Sequence, residues 1–164
     1  MLFHNALITG EKLRIWNNGQ YDQSQECKVC KTRKENITHI YFGCRRINDF
    51  WKLIRQFINE KSTVDTGLTS RMTVDIIFDL LEPFKKKFPS AEMLYGLAIW
   101  NIYRAKTEAA LTKTILPAER IFIRWKYDLK EKIIRDLKHK KKRDTWIKIK
   151  NPLVFYRARR KGCL

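Results

Sequence analysis

No stretch of the 164 residues approaches the roughly 18 to 20 consecutive apolar side chains that a membrane-spanning helix needs. The N-terminus lacks a basic segment followed by a long apolar run, so no secretory signal is read. An intracellular protein is expected, nuclear or cytoplasmic and not secreted, with no membrane partner. A Walker-type phosphate loop and a His-Glu-x-x-His pair are both missing, and no segment repeats. Acids are scarce, 17 against 35 Lys and Arg, which leaves a formal net charge of +18. That balance favours a polyanionic partner over a small-molecule substrate. With 44% hydrophobic residues the chain can still build a core, and its length suits one domain.

The positive charge is unevenly placed. Residues 124–164 hold 16 Lys or Arg and 4 acids, a net of +12, whereas the first 123 residues carry +6. Lys138, Lys140, Lys141, Lys142 and Arg143 form one cluster; Arg157, Arg159, Arg160 and Lys161 form another. Such runs serve as solvated tails or nuclear-import addresses, or as phosphate-binding surfaces that release counterions.

Three of the four cysteines lie within 18 residues, in the pattern C-x2-C-x8-H-x4-C formed by Cys27, Cys30, His39 and Cys44. A Cys-x-x-Cys turn lets two thiolates reach one ion, and His39 with Cys44 closes a tetrahedron. Four protein donors leave no open position, so one structural Zn2+ is expected, supplying folding energy to a short segment. A Cys27–Cys30 disulfide would need an oxidising compartment. A thioredoxin-like pair would need a preceding strand, but residues 17–25 are polar and turn-like. Cys163, His4 and His139 have no such context, and the Asn36-Ile37-Thr38 sequon is read as coincidental.

Around these ligands the chain resembles the zinc-binding domain near the C-terminus of LINE-type (non-LTR) retrotransposon reverse transcriptases. The resemblance is carried by Leu7-Ile8-Thr9-Gly10-Glu11-Lys12-Leu13, by Cys27-Lys28-Val29-Cys30, by Glu35 to Cys44 (ENITHIYFGC) and by Trp51-Lys52-Leu53. It covers about residues 5–53. Asn36 stands where the family usually has Thr, and the aromatic in Ile40-Tyr41-Phe42 is displaced by one or two places. A weaker echo is Leu97 to Lys106 (LAIWNIYRAK), similar to the family's Trp-containing helix. The resemblance implies a role in holding template RNA or target DNA during target-primed reverse transcription. Retroviral-type knuckles use a shorter x4 loop, and two-histidine fingers end on a helix. The longer loop here has room for the basic turn Lys31-Thr32-Arg33-Lys34.

The coarse pattern is mainly α, a small helical domain organised around a structural zinc knuckle with a basic C-terminal helix and tail. Residues 1–60 are read as the zinc module, 61–72 as a loop, 73–142 as a helical region and 143–164 as a basic tail. Helices are expected over residues 4–16, across Ile47 to Ile58, from Thr73 to Leu81, from Ala91 to Lys113 behind a Ser90 cap, and after Pro117. Residues 146–150 alternate weakly, as a short strand would. Trp51, Trp100 and Trp125 fall on apolar stripes and are expected in the core; Arg104, Lys106 and Glu108 mark a polar face. Trp146 and Tyr156 are the better base-stacking candidates.

No two aspartates are adjacent, so the Phe/Tyr-x-Asp-Asp signature of a polymerase site is absent. Asp75, Asp79 and Glu82 could share a helix face, but a solvated face explains them better than a two-metal nuclease. The expectation is a non-catalytic accessory region, or stand-alone remnant, of a retrotransposon reverse transcriptase that binds RNA or DNA. Lys28, Lys31, Arg33, Lys34, Arg45 and Arg46 form its local phosphate patch, supplemented by Lys140, Lys141, Lys142 and Arg143. The rival is a zinc-stabilised protein-interaction scaffold with a basic localisation tail.

Overall fold

The computed structural model describes residues 26–31, 35–61 and 90–139. These residues are mainly helical and include no strand. A π-helical turn, His39–Gly43, leads into α1 (Arg45–Lys61); α2 (Ala91–Thr112) and α3 (Ala118–Leu137) follow. No helix among the described residues is long and apolar enough to cross a membrane.

Helix α1 forms where expected because Ile47, Phe50, Trp51, Ile54 and Ile58 step by three and four, and all five are buried. Its outer face carries Asn48, Asp49, Lys52 and Gln56, with an exposed Lys52–Asp49 pair that contributes little. In α3 the same periodicity buries Ile121, Trp125, Leu129 and Ile133. Pro117 stands just before α3, with φ −67°, and its carbonyl accepts from the N–H groups of Arg120 and Ile121. Lys113, at φ 60°, ends α2 in the left-handed conformation.

Ser90 precedes α2 as expected, but its side chain caps nothing. Its backbone is already in the right-handed helical region (φ −79°, ψ −6°), whereas a capping hydroxyl reaches back from an extended residue. The Ser90 hydroxyl is buried and has no hydrogen-bond partner among the described residues.

One apolar core runs from Cys27 through all three helices to Ile133. Phe57 of α1 meets Trp125 of α3 edge to face at 5.2 Å, and the Trp125 indole N–H donates to the Leu94 carbonyl of α2 at 3.1 Å. Two ion pairs, Arg124–Glu108 at 2.9 Å and Arg104–Asp128 at 3.3 Å, show that α2 and α3 run antiparallel. The described parts of the expected zinc module and helical region therefore share this core.

Two expectations about α2 need correction. Trp51 and Trp125 are buried, but Trp100 is 52% exposed. Helix α2 is apolar on most of its circumference, and its buried arc is set by Leu94, Ala98, Ile102 and Ala109, with Trp100 on the far side. Lys106, expected on the polar face, is buried. The expected helices at 4–16 and 73–81, nearly all of the 61–72 loop, the strand at 146–150, Asp75, Asp79, Glu82, Trp146, Tyr156 and the basic tail lie outside the described residues.

The contrast between the tryptophans is measurable by urea denaturation. Trp125→Ala is expected to cost about 3–5 kcal/mol through the cavity it leaves. Trp100→Ala, at a largely solvated position, should stay within about 0.5 kcal/mol of the parent.

Candidate metal centre

Cys27 and Cys30 sit on a tight turn closed by the Lys31 N–H donating to the Cys27 carbonyl at 2.8 Å. Lys31 takes the left-handed conformation, φ 61°, that lets the chain leave the knuckle. The N–H groups of Val29 and Cys30 are aimed at the Cys27 sulfur. This turn is a ready-made cradle for a thiolate.

The second half of the site depends on a different backbone device. Asn36 opens a short helical segment: its side-chain oxygen accepts from the His39 N–H at 2.7 Å, and its carbonyl accepts from the Ile40 N–H. The segment then widens into the π turn, whose five-residue hydrogen bond runs from the Cys44 N–H to the His39 carbonyl at 2.7 Å. In an α-helix, side chains five residues apart point about 140° away from each other. The π turn, a feature frequent at functional sites, instead brings His39 and Cys44 to one side. Asn36 can stand in for a threonine here because both side chains offer the capping oxygen. Gly43 leaves room beside the ring, since a Cβ there would lie 3.3 Å from His39 Nδ1.

Cys44 immediately precedes α1, and its carbonyl accepts the Asn48 N–H at 2.9 Å. The N–H groups of Arg46 and Ile47 point at its sulfur. The thiol thus occupies the place of a helix cap, where unsatisfied N–H groups and the helix dipole favour negative charge.

The four donor atoms of Cys27, Cys30, His39 and Cys44 all lie within 4.8 Å of one another, and all four residues are buried. His39 Nε2 lies 3.3 Å from Cys30 Sγ. Bond lengths of about 2.3 Å to sulfur and 2.0 Å to nitrogen place tetrahedral donors about 3.5–3.8 Å apart, so the cluster has the dimensions to hold one metal ion. Its electrostatics agree. A hydrogen bond to Cys44, followed by burial, pushes the Cys27 thiol well above its ordinary value, and the same bond lowers Cys44. Three ionised sulfurs in that volume would call for a cation among them.

A buried ion pair ties this loop to the helices. Glu35 is only 3% exposed; one carboxylate oxygen lies 3.0 Å from Lys106 Nζ on α2, and the other accepts the Lys28 N–H, inside the cysteine turn, at 3.1 Å. Trp51 of α1 supplies a second tie, donating its indole N–H to the Tyr41 carbonyl at 2.6 Å, stacking on Phe42 and meeting Tyr95 of α2. Burial pushes the Tyr41 and Tyr95 phenols up, so both stay neutral. Sequence reasoning missed Glu35 and Lys106 because they are 71 residues apart and each looks like a solvated charge.

Of the expected phosphate-binding residues, Lys31, Arg45 and Arg46 are exposed beside the metal cluster and Lys28 is half-buried. Arg33, Lys34, Lys140, Lys141, Lys142 and Arg143 lie outside the described residues.

Lys106→Met removes the ammonium that faces buried Glu35 and is expected to destabilise the fold by about 3–5 kcal/mol in chemical denaturation. Adding Glu35→Leu should recover only part of that loss, because the Lys28 N–H then loses its acceptor. Comparison with protein-family models, with curated proteins and with solved structures finds no match to this chain.

Proposed function

We propose that the chain is a non-catalytic, zinc-stabilised nucleic-acid-binding region, of the kind found in LINE-type retrotransposon reverse transcriptases, that binds template RNA or target DNA. The observation that carries this reading is the closed Cys3His cluster with exposed cations on its rim. Three thiolates, an imidazole and Zn2+ sum to one negative charge. Lys28, Lys31, Arg45 and Arg46 bring four positive charges to the same end of the molecule, more than the centre itself needs. Arg45 and Arg46 also stand in the first turn of α1, where a helix disfavours cations, so an external anion there would improve the local electrostatics.

The donor set fits zinc: thiolates and imidazole suit this ion, and four buried protein ligands hold it without an open position. Zinc would supply folding energy, not a reaction. The resemblance in the ligand spacing, in Glu35 to Cys44 and in Trp51 supports the retrotransposon assignment, and the net charge of +18 supports a nucleic-acid partner.

Purified protein should contain one zinc per chain by elemental analysis. Binding to labelled RNA or duplex DNA should fall steeply with salt, with a log–log slope near −0.9 for each duplex phosphate contacted. Chelation, or Cys44→Ser, should abolish the fraction of binding that depends on the folded loop. Absence of zinc would refute the family assignment. Salt-insensitive association with a protein, with no affinity for nucleic acid, would instead establish the interaction scaffold.

A further inference from the structure

The outer side of the α2–α3 pair carries large apolar groups that the core does not use. On α2, Trp100 is 52% and Leu111 77% exposed, with Tyr103, Arg104 and Thr107 between them at three- and four-residue intervals. Trp100 and Tyr103 lie beside each other, ring centroids 5.8 Å apart and tilted by 31°. On α3, Arg120, Ile123 and Tyr127 recur at the same helical spacing, with Ile123 55% and Tyr127 52% exposed. The ion pairs Arg104–Asp128 and Arg124–Glu108 join the two helices along the seam between these stripes. From Trp100 to Leu111 the face extends about 16 Å at 1.5 Å per residue.

The charges on these helices narrow the choice of occupant. Between Trp100 and His139 ten Lys or Arg stand against five acids. Three of those acids, Glu108, Asp128 and Asp136, are already paired with Arg124, Arg104 and Lys132, and Lys106 is held by Glu35, so six cations and two acids stand outside these pairs. A purely apolar protein surface would desolvate the remaining cations without compensation. A duplex would offer phosphates, but its base faces are hidden from tryptophan and tyrosine. Unpaired nucleotides offer both a phosphate chain and flat π faces, the combination that aromatic and cationic side chains bind together.

We propose that this α2–α3 face is a stacking platform for unpaired nucleotides of a single strand, with Trp100 and Tyr127 as base-contacting residues and Arg120 beside the phosphates. The proposal rests on the nucleic-acid reading above and names the part of the molecule that would distinguish single strands from duplexes.

The test uses the zinc-loaded full chain and fluorescence anisotropy with a labelled single-stranded oligonucleotide of about 12 nucleotides, alongside the duplex of the same sequence. Trp100→Ala and Tyr127→Ala should each weaken single-strand binding at least about fivefold while changing duplex binding less than about twofold. Trp100→Phe should retain most of the affinity, and Lys52→Ala, on the outer face of α1, should behave as the parent. Circular dichroism and the thermal midpoint establish that the alanine variants remain folded. Parent-like single-strand affinity in a folded Trp100→Ala, or equal losses for strand and duplex, would overturn the platform while leaving the nucleic-acid reading intact. A parent that binds neither probe would overturn both. A concentration-dependent dimer that Trp100→Ala dissociates, with strand binding unchanged, would assign the face to a second copy of this chain.

Discussion

Three thiols and an imidazole crowded within 4.8 Å impose the constraint on which the described structure depends. Sulfur atoms at that spacing cannot all be ionised unless a cation stands among them, yet the backbone has been shaped to favour ionisation. N–H groups from the cysteine turn converge on Cys27, and those from the first turn of α1 converge on Cys44. Those donors are the groups a helix start and a tight turn would otherwise leave unsatisfied. The same atoms therefore begin α1 and complete the donor set, so the direction of the helix and the geometry of the cluster are fixed together.

This arrangement would be local were it not for the ties leading out of it. Glu35 bridges the cysteine turn to Lys106, and Trp51 bridges the π turn to α1 and Tyr95. A buried carboxylate is costly to desolvate, and it persists here because one oxygen meets an ammonium and the other an N–H. Its specificity matters as much as its energy: Lys106 reaches Glu35 only if α2 packs in one rotational setting. That setting turns Trp100 outward. The exposure of the indole is thus a geometric consequence of burying a lysine six residues, or about 120° in net rotation, further along the helix.

The parts of the fold legible in the sequence are those governed by short spacings. Ile47 to Ile58 and Ile121 to Ile133 each define one narrow stripe, and the helices lie as that stripe requires. The donor set was legible because Cys27, Cys30, His39 and Cys44 fall within 18 residues of residue types with little other reason to coincide. The π turn was not, since hydrogen-bond pitch leaves no trace in side-chain periodicity over five residues. Nor was the role of Glu35, whose partner is distant in the chain and whose type is usually solvated. Helix α2 misled for a third reason: with apolar residues on most of its circumference, only tertiary packing decides which arc is buried. Ser90 was placed correctly as a boundary and incorrectly as a cap, because residue type reports a preference for the position and φ/ψ decides whether the hydroxyl can reach.

The distribution of charge connects these elements to one another. In the helical body most acids near a cation are already paired: Glu35 with Lys106, Glu108 with Arg124, Asp128 with Arg104 and Asp136 with Lys132. Internal pairing consumes the acids first because there are half as many of them as bases. The surplus is left on surfaces, at the rim of the metal cluster and along the outer side of α3. A surplus of this kind destabilises the compact chain through self-repulsion and is relieved by a polyanion. Where the surplus is flanked only by polar groups, as at Lys31, Arg45 and Arg46, phosphate alone satisfies it. Where it stands beside Ile123 and Tyr127, as at Arg120, the proposed partner must also supply flat apolar area. Under the proposed function, the rim of the metal cluster and the outer side of α3 would therefore ask different things of one nucleic-acid ligand.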